Sequence, residues 1–134
     1  MIYRRLSLQD DFPVLKGFYE HYWGEGNYPT LDRLPQDGVI SEDEEIGVAG
    51  GIFLYFTANS RMAIIGFPVL NPDLKTHRAQ TIMGMIEHAE FWARLNGYAY
   101  MNTWSGTESV KKYLNMSLYD EADRGVSHFI KRLI

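Results

Sequence analysis

Val69-Leu70-Asn71-Pro72, followed by Asp73-Leu74-Lys75-Thr76-His77-Arg78-Ala79-Gln80-Thr81-Ile82 and closed by Phe91-Trp92-Ala93-Arg94-Leu95-Asn96-Gly97-Tyr98, is the stretch that decides the fold. An apolar strand, residues 62–70, runs into Asn71-Pro72-Asp73, which ends it because proline cannot donate to a ladder and Asn and Asp favour turns. Thr76 has the side chain of a helix cap. From there to Asn96, Ile82, Ile86, Ala89 and Ala93 recur at helical spacing, flanked by Met85 and Trp92, and form one apolar stripe. Gly97 is placed to stop the helix in a left-handed turn, and residues 98–104 read as the next strand. A strand, a crossover helix and a strand allow the two strands to lie side by side and parallel.

Working back toward the N-terminus, residues 1–8 read as a first strand. Asp10 and Asp11 are candidate caps for a helix reaching about Trp23, with Pro13 in its first turn. Val14, Leu15, Phe18 and Tyr22 share its apolar spacing. The Gly24-Glu25-Gly26-Asn27-Tyr28-Pro29 run breaks it. Residues 30–34 form a short second helix, 39–41 a small strand and 46–57 a long one. The pair Gly50-Gly51 predicts a bulge or a close backbone approach. The first half is thus an antiparallel meander. Beyond residue 104, residues 107–116 read as a further helix and 126–133 as a final strand. The fold class is α/β (α+β), a mixed sheet of about six strands with about four helices.

Composition is consistent with that reading. The 134 residues match one domain, 1–134, without repeats or linkers, and are 46% apolar and 22% charged. The aromatic share of 14% is high and concentrates large rings in the core or at a binding surface. There are no cysteines, which excludes disulfides, thiolate zinc sites and a cysteine nucleophile. No signal peptide and no run of about 18 apolar residues is present, so the chain reads as cytoplasmic, with no membrane partner. A net charge of −4 argues against nucleic acid as a partner, although Lys111-Lys112 and Lys131-Arg132 are paired bases.

The order of elements, the Val69–Pro72 stretch, the helix ending Ala93–Gly97 and the segment Gly106-Thr107-Glu108-Ser109-Val110-Lys111-Lys112-Tyr113 resemble the GNAT acetyltransferases over nearly the whole chain. The resemblance implies acetyl-CoA as cofactor and direct transfer to a primary amine of a small molecule or protein. In that family the loop before the long helix reads Arg/Gln-x-x-Gly-x-Gly/Ala, so that backbone amides approach a pyrophosphate at the helix start. Here Arg78 as anchor puts Thr81 and Met83 at the glycine positions, and counting back from Gly97 puts Gln80 and Ile82 there. The glycines are absent in both registers. The cofactor-binding positions implied are Leu70, His77, Arg78, Gln80, Thr81 and Ile82, with Lys75 adding charge. Tyr113 is the implied general acid, although Ser117-Leu118 stand where the family carries glycine and phenylalanine.

Trp104-Ser105-Gly106-Thr107 and Lys111-Lys112-Tyr113-Leu114 also resemble small GNAT-like proteins of bacteriophages, some assigned to virion assembly. That gives an alternative: a catalytically inactive GNAT-fold assembly protein with protein partners or self-association, in the host cytoplasm or the virion. Glu44 and Glu45 occupy the region where acetyltransferases sometimes place a base, but a solvated turn accounts for them. His88 reads as solvent-exposed, and His21 and His128 as isolated, since no set has zinc-ligand spacing. Phe18, Tyr19, Tyr22, Trp23 and Tyr28 surround the region that shapes the acceptor site in the family, with half of them expected in the core.

Overall fold

A computed structural model describes residues 1–103, 108–116 and 119, and gives the backbone alone for residues 108–110 and 113. The predicted strand 126–133, His128 and the turn 104–107 lie outside the described residues. The element order is β1 (Ile2–Arg5), α1 (Leu8–Trp23), a single 3-10 turn (Leu31–Arg33), β2 (Asp37–Asp43), β3 (Gly47–Phe56), β4 (Met62–Leu70), α2 (Arg78–Leu95), β5 (Tyr100–Asn102) and α3 (Glu108–Met116). The five strands form one sheet in the order β1-β2-β3-β4-β5. All neighbours are antiparallel except β4 and β5, which are parallel as the crossover helix requires. No helix among the described residues is long and apolar enough to cross a membrane.

The period of two along each strand divides the core between two layers. Val39, Ile52, Leu54 and Leu70 meet Ile82, Met85, Ile86 and Ala89 of α2. Their neighbours Ile40, Phe53 and Val69 meet Leu8, Leu15 and Tyr19 of α1. Gly50 and Gly51 serve one layer each. A Cβ on Gly50 would lie 2.7 Å from the Val69 carbonyl oxygen and 3.3 Å from Met85 Cε, and one on Gly51 would lie 2.9 Å from both Leu15 methyls. The close approach expected at this pair is present. The expected bulge is present too: Ser41 pairs with Gly50 and Glu42 with Val48, leaving Ala49 of β3 as the extra residue beside Gly50. A second bulge lies in β4, because Gly51 pairs with Val69 and Phe53 with Gly66, leaving Ile52 opposite both Phe67 and Pro68.

Several boundaries differ from the sequence expectation, among them β2, which runs Asp37–Asp43 where 39–41 is expected. The first strand stops at Arg5, because α1 starts at Leu8. Asp10 and Asp11 are therefore not caps but lie inside α1, and Pro13 falls beyond its first turn. Asp11 reaches back to accept the Ser7 amide at 2.7 Å. The buried stripe of α1 is Leu8, Asp11, Leu15 and Tyr19, while Val14 and Tyr22 are exposed. A charged residue takes a core position here because Arg4 holds it with two hydrogen bonds, at 2.9 and 2.8 Å. Thr76 is not the α2 cap, since the cap position belongs to His77. The last strand of the quoted stretch begins at Tyr100 rather than Tyr98. Gly97 (φ +86) lets the Tyr98 amide bond back to the Ala93 carbonyl at 3.0 Å and the Gly97 amide to Arg94 at 3.0 Å, which consumes those residues in the helix stop.

Burial alone would raise the Asp11 carboxyl, but the Arg4 and Ser7 hydrogen bonds and the Arg4 charge outweigh it and hold the pKa below its ordinary value. A depressed folded pKa contributes stability that is present above the unfolded value and lost as pH falls through the folded one. Asp11→Asn is expected to lower stability at pH 7 by about 2 kcal/mol. It is also expected to flatten the loss of stability below about pH 4. Urea midpoints of both proteins at pH 7 and pH 3 check this, and equal midpoints at pH 7 contradict it.

Candidate functional site

The carboxyl end of a strand beside a parallel neighbour is where α/β sheets place ligands. Here that end belongs to β4. Its register with β5 covers Met62–Tyr100, Ala63–Met101 and Ile64–Asn102. The Ala99 and Tyr100 amides both donate to the Arg61 carbonyl (2.8 and 3.0 Å), and the Thr103 hydroxyl donates to the Ile65 carbonyl at 2.9 Å. Beyond Ile65, β4 has no β5 partner among the described residues. Two local features oppose a regular ladder there. Phe67 is left-handed (φ +51), and Pro68 has no amide to give.

That conformation is unusual for a bulky residue and persists only where its surroundings hold it. The Tyr19 hydroxyl, buried in the α1 layer, donates to the Phe67 carbonyl. Burial pushes the Tyr19 pKa far up, with Tyr55 adding to the shift, so it stays a phenol and a donor. The Phe67 ring lies 5.5 Å under the Arg33 guanidinium, and the Tyr55 hydroxyl donates to the Arg33 carbonyl at 3.0 Å. The bulge is thus held from its backbone and from its ring.

After Leu70 the chain forms a loop anchored by Asn71, which is buried. Its amide donates to the Ala49 carbonyl (2.8 Å) and its side-chain NH2 to the Val48 carbonyl (2.9 Å). Its side-chain oxygen accepts the Asp73 amide (2.9 Å), and its carbonyl accepts the Leu74 amide (3.0 Å). The loop enters α2 through His77, left-handed at φ +57. The first amide bonded along the helix is that of Thr81, which donates to the His77 carbonyl at 3.0 Å. The amides of Arg78, Ala79 and Gln80 precede it, so the helix itself offers them no acceptor. A left-handed residue followed by a helical one turns successive amides toward one concave spot, and the α2 dipole adds positive potential there.

The residues singled out from sequence are distributed as follows. His77 and Gln80 are exposed at the start of α2. Thr81 and Ile82 are turned inward, 1% and 5% exposed, with the Thr81 hydroxyl on the His77 carbonyl at 2.8 Å. Leu70 is buried in the same core as Ile82. Arg78 is folded over the loop onto the Leu74 carbonyl at 2.6 Å. Lys75 Nζ donates to the Pro72 carbonyl at 2.8 Å. Tyr113 is carried by α3, which packs on α2, and its side chain lies outside the description. Glu44 and Glu45 sit in an exposed turn, with the Glu45 amide on Asp43 Oδ1 at 2.8 Å. His88 differs from its expected exposure. It is half-buried, stacked on Tyr3 at 4.6 Å, with Nδ1 2.8 Å from the Gly84 carbonyl.

Of the aromatic group, Tyr19 is in the core, Phe18 and Tyr28 pack against it, and Tyr22 and Trp23 are exposed. Sequence reading singled out Tyr19 and Tyr22 within the aromatic group but missed Phe67 and Asn71 as site-forming residues. Only Asn71 carried a local signal, in the Asn-Pro-Asp turn.

No protein-family model matches the chain, and no curated protein matches it. Solved structures do. An aminoglycoside acetyltransferase from an uncultured soil metagenomic sample, in complex with sisomicin, superposes with a TM-score of 0.71 at 16% identity, covering 99% of this chain and 96% of that one. Glucosamine-6-phosphate N-acetyltransferase from Arabidopsis thaliana gives 0.69 at 10% identity, covering 97% and 98%. N-acetylglutamate synthase from Neisseria gonorrhoeae, complexed with coenzyme A and N-acetyl-glutamate, gives 0.66 at 14% identity, covering 87% of this chain and 28% of that one. The chain has the GNAT fold, and these structural neighbours are acetyltransferases.

Tyr19→Phe removes the buried donor and leaves the Phe67 carbonyl short of a partner, which is expected to cost about 1–2 kcal/mol. Chemical denaturation measures it, and a loss below 0.3 kcal/mol, roughly the scatter of surface substitutions, means that the bulge is held without Tyr19.

Proposed function

We propose that this GNAT-fold chain is an acetyl-CoA-dependent N-acetyltransferase that transfers acetyl directly to a primary amine. The observation that carries the reading is the left-handed His77 at the mouth of α2, with the unpartnered amides of Arg78, Ala79 and Gln80 behind it, beside the β4 end. Those amides suit a pyrophosphate because they need no side chain and the helix dipole favours negative charge. The exposed His77 and Gln80 side chains stand at the rim of that spot. Leu70, Thr81 and Ile82 are buried, so their part is to seat the helix start against the sheet.

Acetyl-CoA, when bound, supplies the acetyl group as a thioester. The acceptor nitrogen attacks the thioester carbonyl carbon, the C–N bond forms, and the C–S bond breaks. The amine sheds its proton before attack, and the departing sulfur must regain one. Tyr113 on α3 is the residue assigned to return it, as a phenol acting as general acid. Direct transfer needs no protein nucleophile, which agrees with the lack of cysteine. Among the neighbours, the aminoglycoside and glucosamine-6-phosphate enzymes carry names of amino-sugar substrates, which supports a primary amine as acceptor.

Calorimetry with acetyl-CoA and with CoA is expected to show binding to both. Absence of heat at near-millimolar ligand overturns the catalytic reading and leaves an assembly role for the fold. Where transfer to an amine is detected, Tyr113→Phe is expected to lower kcat by about 100-fold with the acetyl-CoA KM unchanged. An unchanged kcat removes Tyr113 from the proton transfer.

A further inference from the structure

We propose that Arg78 is a positioning residue that ties the last turn of α1 to the loop before α2, acting through loop carbonyls and not by touching an anion. The inference rests on the coenzyme A reading for its consequence, but its geometry stands alone. One terminal nitrogen, Nη1, donates to the Leu74 carbonyl at 2.6 Å and to the Asn71 carbonyl at 3.3 Å. The other, Nη2, donates to the Tyr22 hydroxyl at 2.9 Å. Both nitrogens are therefore engaged within the chain, in a planar fork that lysine cannot reproduce.

What the fork joins gives it significance. Asn71 is fastened to β3 through Ala49 and Val48. Leu74 closes the turn on Asn71 and buries its side chain in the α2 layer. Tyr22 lies on α1 just before Gly24 (φ +99), where the helix gives way to the aromatic loop. One guanidinium thus spans the loop that presents the α2 amides and the helix that leads into the acceptor-side segment. Arg78 has no carboxylate partner among the described residues, so its charge also remains as a positive field behind the amides. A shift of the α1 end by a bound acceptor would pull on Tyr22, and through Arg78 on the loop. This makes the two halves of the proposed site dependent on each other.

The test is a double-mutant cycle with Tyr22→Phe, Arg78→Lys and the double variant. Amide hydrogen exchange at residues 74–80 is expected to quicken about fivefold in each single variant, the worth of one net hydrogen bond. The acetyl-CoA KM is expected to rise by a similar factor with kcat held. The double variant is expected to be no worse than the poorer single, because both changes cut the same link. The proposal is overturned if Tyr22→Phe leaves the exchange at residues 74–80 and the acetyl-CoA KM as in the wild type while Arg78→Lys raises that KM, for then Arg78 acts without its link to Tyr22. If the wild type binds no acetyl-CoA, the catalytic reading fails separately. The exchange measurement still decides the tether, and unchanged exchange in Tyr22→Phe sinks it.

Discussion

The bond from the Tyr19 hydroxyl to the Phe67 carbonyl is the constraint on which the candidate site depends. A bulky residue in the left-handed region costs on the order of 1 kcal/mol, and an extra residue in β4 interrupts its ladder. Neither survives unless the layers on either side fix it. Tyr19 does so from α1, Arg33 lies over the ring, and Ile52 faces both bulge residues across the sheet. The consequence is directional. β4 is in register with β5 from Met62 to Ile64, the Thr103 hydroxyl reaches the Ile65 carbonyl, and the bulge follows at Phe67-Pro68.

The loop that follows is held by a similar logic of polar groups inside apolar layers. Asn71 satisfies its amide, carbonyl and both side-chain ends within the chain, which is what lets a polar residue occupy an 8% exposed position. Arg78 then closes over two of the loop carbonyls. The result is a short connection whose Asn71, Pro72 and Leu74 carbonyls are occupied, while the Arg78, Ala79 and Gln80 amides have no partner among the described residues. That asymmetry favours an anion over a cation at the start of α2, and it arises from backbone geometry more than from the acidic composition of the chain.

Much of the fold was legible because it rests on periodicity. The stripe from Ile82 to Ala93, the apolar strand before Asn71 and the glycine after Asn96 each carry a local signal, and the parallel β4–β5 pair follows from the crossover between them. The N-terminal helix was less legible. Its buried face contains Asp11, which no hydrophobic pattern assigns to a core, and Tyr19, whose partner is 48 positions away. Pairing with Arg4 of β1 makes Asp11 acceptable inside, so the stripe was displaced by one residue in the reading. The bulge on the glycine strand was legible, since glycine announces freedom, and Ala49 beside Gly50 is its extra residue. The second bulge, on β4, was not legible, because Phe67-Pro68 gives no such signal, and the glycines also make room for Leu15 and Met85. For the site, spacing found the right loop, yet could not show that Arg78 bends back to tie it.

The missing glycines weigh differently once the side chains are placed. A glycine in a phosphate loop matters where a Cβ would stand between the amide and the ligand. With Gln80 and Ile82 at those positions, Ile82 points into the sheet-facing core and obstructs nothing outside. With Thr81 and Met83 there, Thr81 is likewise inside, bonded to the His77 carbonyl. The obstruction therefore reduces to the exposed Gln80 in one register and the half-buried Met83 in the other. Both side chains are flexible, and Gln80 can donate hydrogen bonds of its own. The strained position has moved to His77, which takes the left-handed turn that glycine would take more cheaply, and histidine is among the residues that tolerate it best. A loop of this kind gives up close approach at one point and keeps the amides of Arg78, Ala79 and Gln80 at the helix start.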